Sequence, residues 1–163
     1  MREIKFRGKR ERKWTFGYYA YNEKSDKHYI QDGTGSTYLV SAETVGQYTG
    51  LTDSNGVDIY EGDIIRQRNF NGEEYEAIYV VVWDDVGFCL NMIHGNKKAM
   101  ELYNSDFEEA EKNNLRLSSF GHHENGKLRK GEVIGNIHDN TELLKTCPYE
   151  CGEDKCGDCK EEI

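Results

Sequence analysis

The stretch from Thr44 to Ile65, TVGQYTGLTDSNGVDIYEGDII, limits the fold more than any other part of the chain. Glycines at 46, 50, 56 and 62 cut it into apolar and aromatic pairs too short for a helix. Glycine lets a chain enter turn conformations that other residues avoid. The stretch therefore reads as strands joined by turns, with Val45, Tyr48, Leu51, Ile59, Tyr60 and Ile64 as the packing set. A phosphate-cradling loop is the competing reading, and it fails on chemistry. Such loops need GxxxxGK[ST], or GxGxxG opening a helix. Here the glycine spacings are four, six and six, and no lysine falls between 44 and 65. Asp53, Asp58, Glu61 and Asp63 would repel a phosphate.

The same punctuation continues along the chain. Asn-Gly pairs at 55–56, 71–72 and 125–126 suit type I′ hairpin turns, which need positive φ. EIKFRG (3–8) alternates charged and apolar residues as a half-buried strand does. KWTFGYYAYN (13–22) places Trp14, Phe16, Tyr18 and Ala20 on one face. KHYIQDG and TYLVS form two further strands around an Asp32-Gly33 turn. GDIIRQRNF, EYEAIYVVVW and GFCLNMI form an antiparallel meander, with LRLSSFG and EVIGNI returning to strand. One helix is expected within 105–113, SDFEEAEKN, where Ser105 and Glu108 make a capping box. TELL (141–144) adds a final helical turn. The expected architecture is mainly β, a small curled barrel of antiparallel strands with an inserted short helix. Helix–strand alternation is missing, which argues against a doubly wound nucleotide fold.

Charge separates the arm from the body. The chain carries a net charge of −9, which disfavours broad nucleic-acid binding. Residues 1–13 nevertheless hold seven Lys/Arg against Glu3 and Glu11. Arg7, Lys9, Arg10, Arg12 and Lys13 are candidate phosphate contacts, with Trp14, Phe16 or Tyr18 as stacking partners. The same arm could pair instead with the acidic face of a neighbouring subunit. No apolar segment follows Arg2 and Glu3 as a secretory signal requires, and the longest apolar run, IYVVVW at 78–83, is a strand's length. A cytoplasmic protein with no membrane contact and reduced cysteines is expected.

After Lys145 the composition changes to Cys, acid and Gly. Residues 1–144 are thus one domain and 145–163 a tail, either disordered or a small metal knuckle. Cys147, Cys151, Cys156 and Cys159 follow the spacing C-x3-C-x4-C-x2-C, which could close a structural Zn²⁺ site. A reduced unstructured tail, or disulfides formed in air, are the alternatives. Cys89 sits between Phe88 and Leu90 and has no base near it in sequence, so it reads as a strand residue. His122, His123 and Glu124 in GHHENG, and Asp84 and Asp85 in WDDVG, read as turn residues. No catalytic residue is nominated, and an enzyme is not expected.

The segment ETVGQYTGLTDSNGVDIYEGDII strongly resembles the signature of the YopX family of phages and prophages. MREIKFRGK and EVIGNIHDNTELL match the same family at the two ends, so the resemblance spans about residues 1–144. His138 stands where the family pattern suggests an aromatic such as tyrosine, and it is not read as catalytic. The resemblance implies an SH3-type, partly open β-barrel that assembles into homo-oligomers, and it implies no particular reaction. A protein that acts by binding, to itself and to a host or phage protein, is the expectation. Nucleic-acid binding through the basic arm is the alternative.

Overall fold

The computed structural model describes residues 3–68, 76–84, 87–97, 99, 115–116, 123–124, 127–128 and 131–144. The helix expected at 105–113, the Asn71-Gly72 and Asn125-Gly126 turns and the cysteine tail lie outside the described residues.

Four consecutive strands open the chain: β1 (Phe6–Arg10), β2 (Lys13–Asn22), β3 (Lys27–Gln31) and β4 (Thr37–Val40). β2 changes partner halfway. Lys13 to Gly17 pair with β1, and Tyr18 to Asn22 pair with β3. The change occurs at Gly17, where a Cβ would meet the Gln31 carbonyl oxygen at 1.9 Å. The sheet curls there and carries β4 back to β1. Ser41 donates its backbone N–H to the Lys9 carbonyl at 3.0 Å, and Val40 packs over Gly8. Phe6, Tyr19 and Ile30 fill the inside of the curl, with the two rings 5.4 Å apart and Ile30 fully buried.

The segment rich in glycine follows as β5 (Gly46–Thr52) and β6 (Asp58–Tyr60). Asp53 organises the turn between them. Its Oδ1 accepts the backbone N–H groups of Asn55 and Val57, both at 2.8 Å. Gly56 has φ +86° while Asn55 is not left-handed, so the expected type I′ turn is replaced by one that Asp53 caps. A buried carboxylate that accepts several N–H groups outweighs the local preference of Asn-Gly. Asp53 Oδ2 also accepts the N–H of Val133 at 3.0 Å, tying this turn to a strand 80 residues away.

β7 (Asp63–Arg68), β8 (Glu76–Asp84) and β9 (Gly87–Gly95) form the expected antiparallel meander. Three two-residue strands follow: β10 (Leu115–Arg116) on β9, then β11 (His123–Glu124) and β12 (Lys127–Leu128), with β12 parallel to β5. Last, β13 (Gly131–Asn136) returns to pair with β7. The result is two sheets, in the orders β11-β12-β5-β1-β2-β3-β4, with β6 beside β5, and β10-β9-β8-β7-β13. The architecture is mainly β, as expected. Both ladders run as open paths among the described residues. Ile64 and Ile65, neighbours on opposite sides of β7, are both fully buried, so this strand is covered on two faces. Ile59, Ile65, Tyr79, Val81 and Leu90 form the centre of the main core. Each such side chain contributes about 1.5–3 kcal/mol through burial. Among the described residues, no helix is long and apolar enough to cross a membrane.

Candidate binding site

Alternation through Lys5 and along β1 puts Lys5, Arg7 and Lys9 on one side and Phe6 and Gly8 on the other. Arg7 pairs in register with Phe16 and Lys9 with Trp14, so cations and aromatics share that side. The corner between β6 and β7 approaches the same side and brings acids with it. Arg7 is 7% exposed. Its Nη1 donates to Asp63 Oδ1 at 2.5 Å and its Nη2 to the Glu61 carbonyl at 3.0 Å. The guanidinium lies 4.7 Å from the Trp14 ring centre and 5.2 Å from that of Tyr60. Lys5 donates to Asp58 at 2.7 Å and stands 4.4 Å above the Tyr48 ring. Lys9 and Trp14 both donate to Asp139, and the His138 ring lies 5.9 Å from Trp14.

A cleft of about 460 Å³ opens where β1, β2, the β6–β7 corner and β13 meet. Lys5, Arg7, Asp58 and Asp63 supply its charge, Phe16, Tyr60, Val57 and Val133 its apolar surface, and Asn136 an amide. Burial and pairing shift three of its groups, Lys5, Tyr60 and Asp63. Burial opposes the Lys5 charge more than any single group favours it, but the bond to Asp58 and the charges of Tyr60, Asp58 and Glu3 together outweigh it and raise the amine to about 12. Burial pushes the Tyr60 hydroxyl up to about 12, and Lys5 and Arg7 offset only part of that. Burial likewise raises the Asp63 carboxyl, against the pull of Arg7 and the Tyr60 N–H. Beyond the cleft, the bonds from Lys9, Asn136 and Trp14 lower the Asp139 carboxyl to about 2. Burial, then Arg7, lowers His138. The cleft can hold a ring against Phe16 and offer hydrogen bonds at its edge.

The structure treats the six residues of the predicted arm unequally. Arg7, Lys9 and Trp14 turn toward acids of the same chain. Arg10 is exposed and lies 5.5 Å from the Tyr38 ring, while Arg12 and Lys13 are exposed at the β1–β2 turn. Phe16 and Tyr18 are 49% and 65% exposed. Cys89 is buried and its thiol donates to Asp84 Oδ2 at 3.1 Å. Cys147, Cys151, Cys156 and Cys159 lie outside the described residues, as does His122. Among the described residues, no group of three or more His, Cys, Asp or Glu side chains is placed to hold a metal ion.

Sequence reasoning singled out neither Lys5 nor Asn136, and it read Asp58 and Asp63 only as acids hostile to phosphate. Two patterns carried the missing signal. Lys5, Arg7 and Lys9 recur with the period of a strand, and Asp63 stands beside Ile64 and Ile65 in a run that has to be buried. A carboxylate in such a run needs a cation, and the segment from Lys5 to Lys9 presents three on one side.

Among curated proteins, none matches the chain significantly. Among solved structures, the crystal structure of protein EF1440 from Enterococcus faecalis is similar at 20% identity and a TM-score of 0.48, over 87% of this chain and 98% of that one. The family model described as YopX protein matches residues 4–145, which takes in the cleft, both sheets and the Asp53 turn; the chain belongs to the YopX family.

Proposed function

We propose that this chain is a phage-derived, non-enzymatic protein that works in the host cytoplasm by binding copies of itself and a host or phage protein. One observation carries the binding reading. The charged groups of the cleft are engaged with one another, while Phe16 and Val57 at its rim are each 49% exposed. The cleft lining contains no His, Cys, Ser or Thr, and Lys5 and Tyr60 keep their protons to about 12. Groups of that kind recognise a partner more readily than they exchange protons with it near neutral pH.

Self-association is supported by the edge of the first sheet. β4 ends the strand order there, and Leu39 on it is 48% exposed. An edge strand presents unpaired N–H and C=O groups to a second chain. A partly open SH3-type barrel is supported by the second sheet, whose last strand returns to the first strand of the meander and carries a register shift between Val133 and Gly135. Light scattering on a sizing column tests the assembly. The expected mass exceeds that of one chain, and it should drop when Leu39→Lys and Thr37→Pro block the β4 edge. A monomer throughout the micromolar range removes self-association.

A further inference from the structure

We infer, resting on the binding reading above, that the cleft beside Phe16 takes an uncharged aromatic side chain, tryptophan or tyrosine, presented by a partner protein. The cleft holds two cations and two acids, and each is engaged with another. Lys5 meets Asp58 at 2.7 Å and Arg7 meets Asp63 at 2.5 Å. Asn136 donates its side-chain N–H to Asp139 at 3.1 Å and accepts the backbone N–H groups of His138 and Asp139, both at 3.0 Å. A charged guest would shed its water for a site whose charges already balance, and it would find no free counter-ion there. An uncharged guest carries no such cost.

The apolar surface of the cleft selects a ring. Phe16 and Val57 stand at its rim, each 49% exposed, and the Phe16 ring leans on Tyr60 with centres 5.6 Å apart and a tilt of 57°. A guest ring extends that tilted pair, and aromatic pairs gain beyond the area they bury. The Asp58 side chain is 39% exposed, so its carboxylate can accept a further hydrogen bond at the mouth. An indole N–H or a phenol O–H supplies that bond, and the phenylalanine ring does not.

The surface around the cleft suits a protein better than a free small molecule. The side of β2 that carries Phe16 continues through Tyr18, which is 65% exposed, to the exposed Ala20. Their register partners on β3 are Gln31 and Tyr29, so this strip carries no charge. Arg10 and Lys13 face the opposite side of the hairpin, and among the described residues neither they nor Arg12 form an ion pair. Protein interfaces deplete charge at their centre and seat an aromatic anchor in a pocket there. A small molecule would fill the cleft and leave the strip exposed. The β4 edge serves self-association in the reading above, which leaves the cleft to the host or phage partner.

NMR titration of the full chain with the N-acetyl amides of tryptophan, tyrosine, phenylalanine, leucine, glutamate and lysine tests the assignment. The tryptophan and tyrosine probes should shift the signals of Phe16, Val57 and Val133 with a Kd of about 1 mM, a reasonable value for one anchor alone. Phenylalanine should bind about threefold more weakly and leucine about tenfold, with the charged probes silent up to ~20 mM. Phe16→Ala should weaken the tryptophan probe about tenfold, Val57→Ser should weaken it about threefold, and Phe16→Trp should retain it. Tyr18→Ala removes an exposed ring outside the cleft and should change nothing. Unchanged unfolding midpoints will show that the variants fold. Leucine or a charged probe binding as tightly as tryptophan would overturn the assignment and leave the cleft as a binding site of another chemistry. No shift at the three residues with any probe would overturn it and remove the cleft from the binding reading as well. An oligomer that dissociates on Phe16→Ala or in excess tryptophan probe would place a second copy in the cleft, against a different partner protein.

Discussion

Replacing Arg7 by methionine should cost about 3–5 kcal/mol of folding stability at neutral pH. The Arg7 and Asp63 side chains are 8% and 2% exposed and meet at 2.5 Å. Methionine keeps an apolar stem between the Trp14 and Tyr60 rings and removes the positive charge. Asp63 then retains the Tyr60 N–H as a donor in a site closed to water. Opposite charges about 4 Å apart attract by about 4 kcal/mol at an effective dielectric of ~20, the same size as the mutational cost. Asp63 also sets the sign of the pH dependence. Burial raises its carboxyl and Arg7 offsets part of the rise. A raised carboxyl contributes stability that is fully present below its unfolded value and lost as pH rises through the folded value. Without Arg7 the folded value climbs further, so the penalty grows toward neutral pH and shrinks in acid. Urea unfolding at neutral pH and in mild acid measures both effects. With an m-value of about 2 kcal/mol/M, the midpoint at neutral pH should fall by about 2 M. Adding Asp63→Asn removes both charges and should restore most of the loss. A penalty below about 1 kcal/mol, or the same penalty with asparagine already at 63, would refute the reasoning.

The Asp53 turn offers a second test by the same assay. Asp53→Asn puts an amide where Val133 needs an acceptor and should cost about 1–3 kcal/mol, while Ser54→Ala at the exposed neighbour should stay within about 0.5 kcal/mol. Gly17→Ala drives a methyl into the Gln31 carbonyl and should cost about 3 kcal/mol, read as a lowered thermal midpoint. The Asp139 carboxyl, followed by carbon NMR, should titrate at about 2. Because that folded value is depressed, the stability it contributes is present above the unfolded value and lost as pH falls through about 2. Lys9→Ala should bring the titration back toward the ordinary range.

Much of the strand layout was legible because its signals are local. Trp14 to Tyr21 sit between turn residues, and β2 runs over Lys13–Asn22 as read. The meander β7–β8–β9 was legible from its apolar runs for the same reason. The first strand was placed early, at 3–8, because its charged–apolar alternation starts before its pairing does. The structure begins β1 at Phe6, since the two-residue turn at Glu11 and Arg12 sets where the hairpin closes. At Asn55-Gly56 a local rule gave way to Asp53, whose third hydrogen bond goes to a residue that no local window contains.

The basic arm shows where local reading stops. Sequence reading grouped Arg7 and Lys9 with Arg10, Arg12 and Lys13 next to aromatic residues, and it treated every cation of the arm alike. Their partners Asp63 and Asp139 lie 56 and 130 residues away, and Asp58 lies 53 from Lys5. The sequence by itself determined most of the strand layout, the alternation of sides along those strands and the family resemblance. Only the tertiary structure decided which cations are locked and which are free. That choice depends on how the sheet curls at Gly17 and where the β6–β7 corner meets β1, because the spacing of residues can show that a buried acid needs a cation but not which cation the packing brings to it.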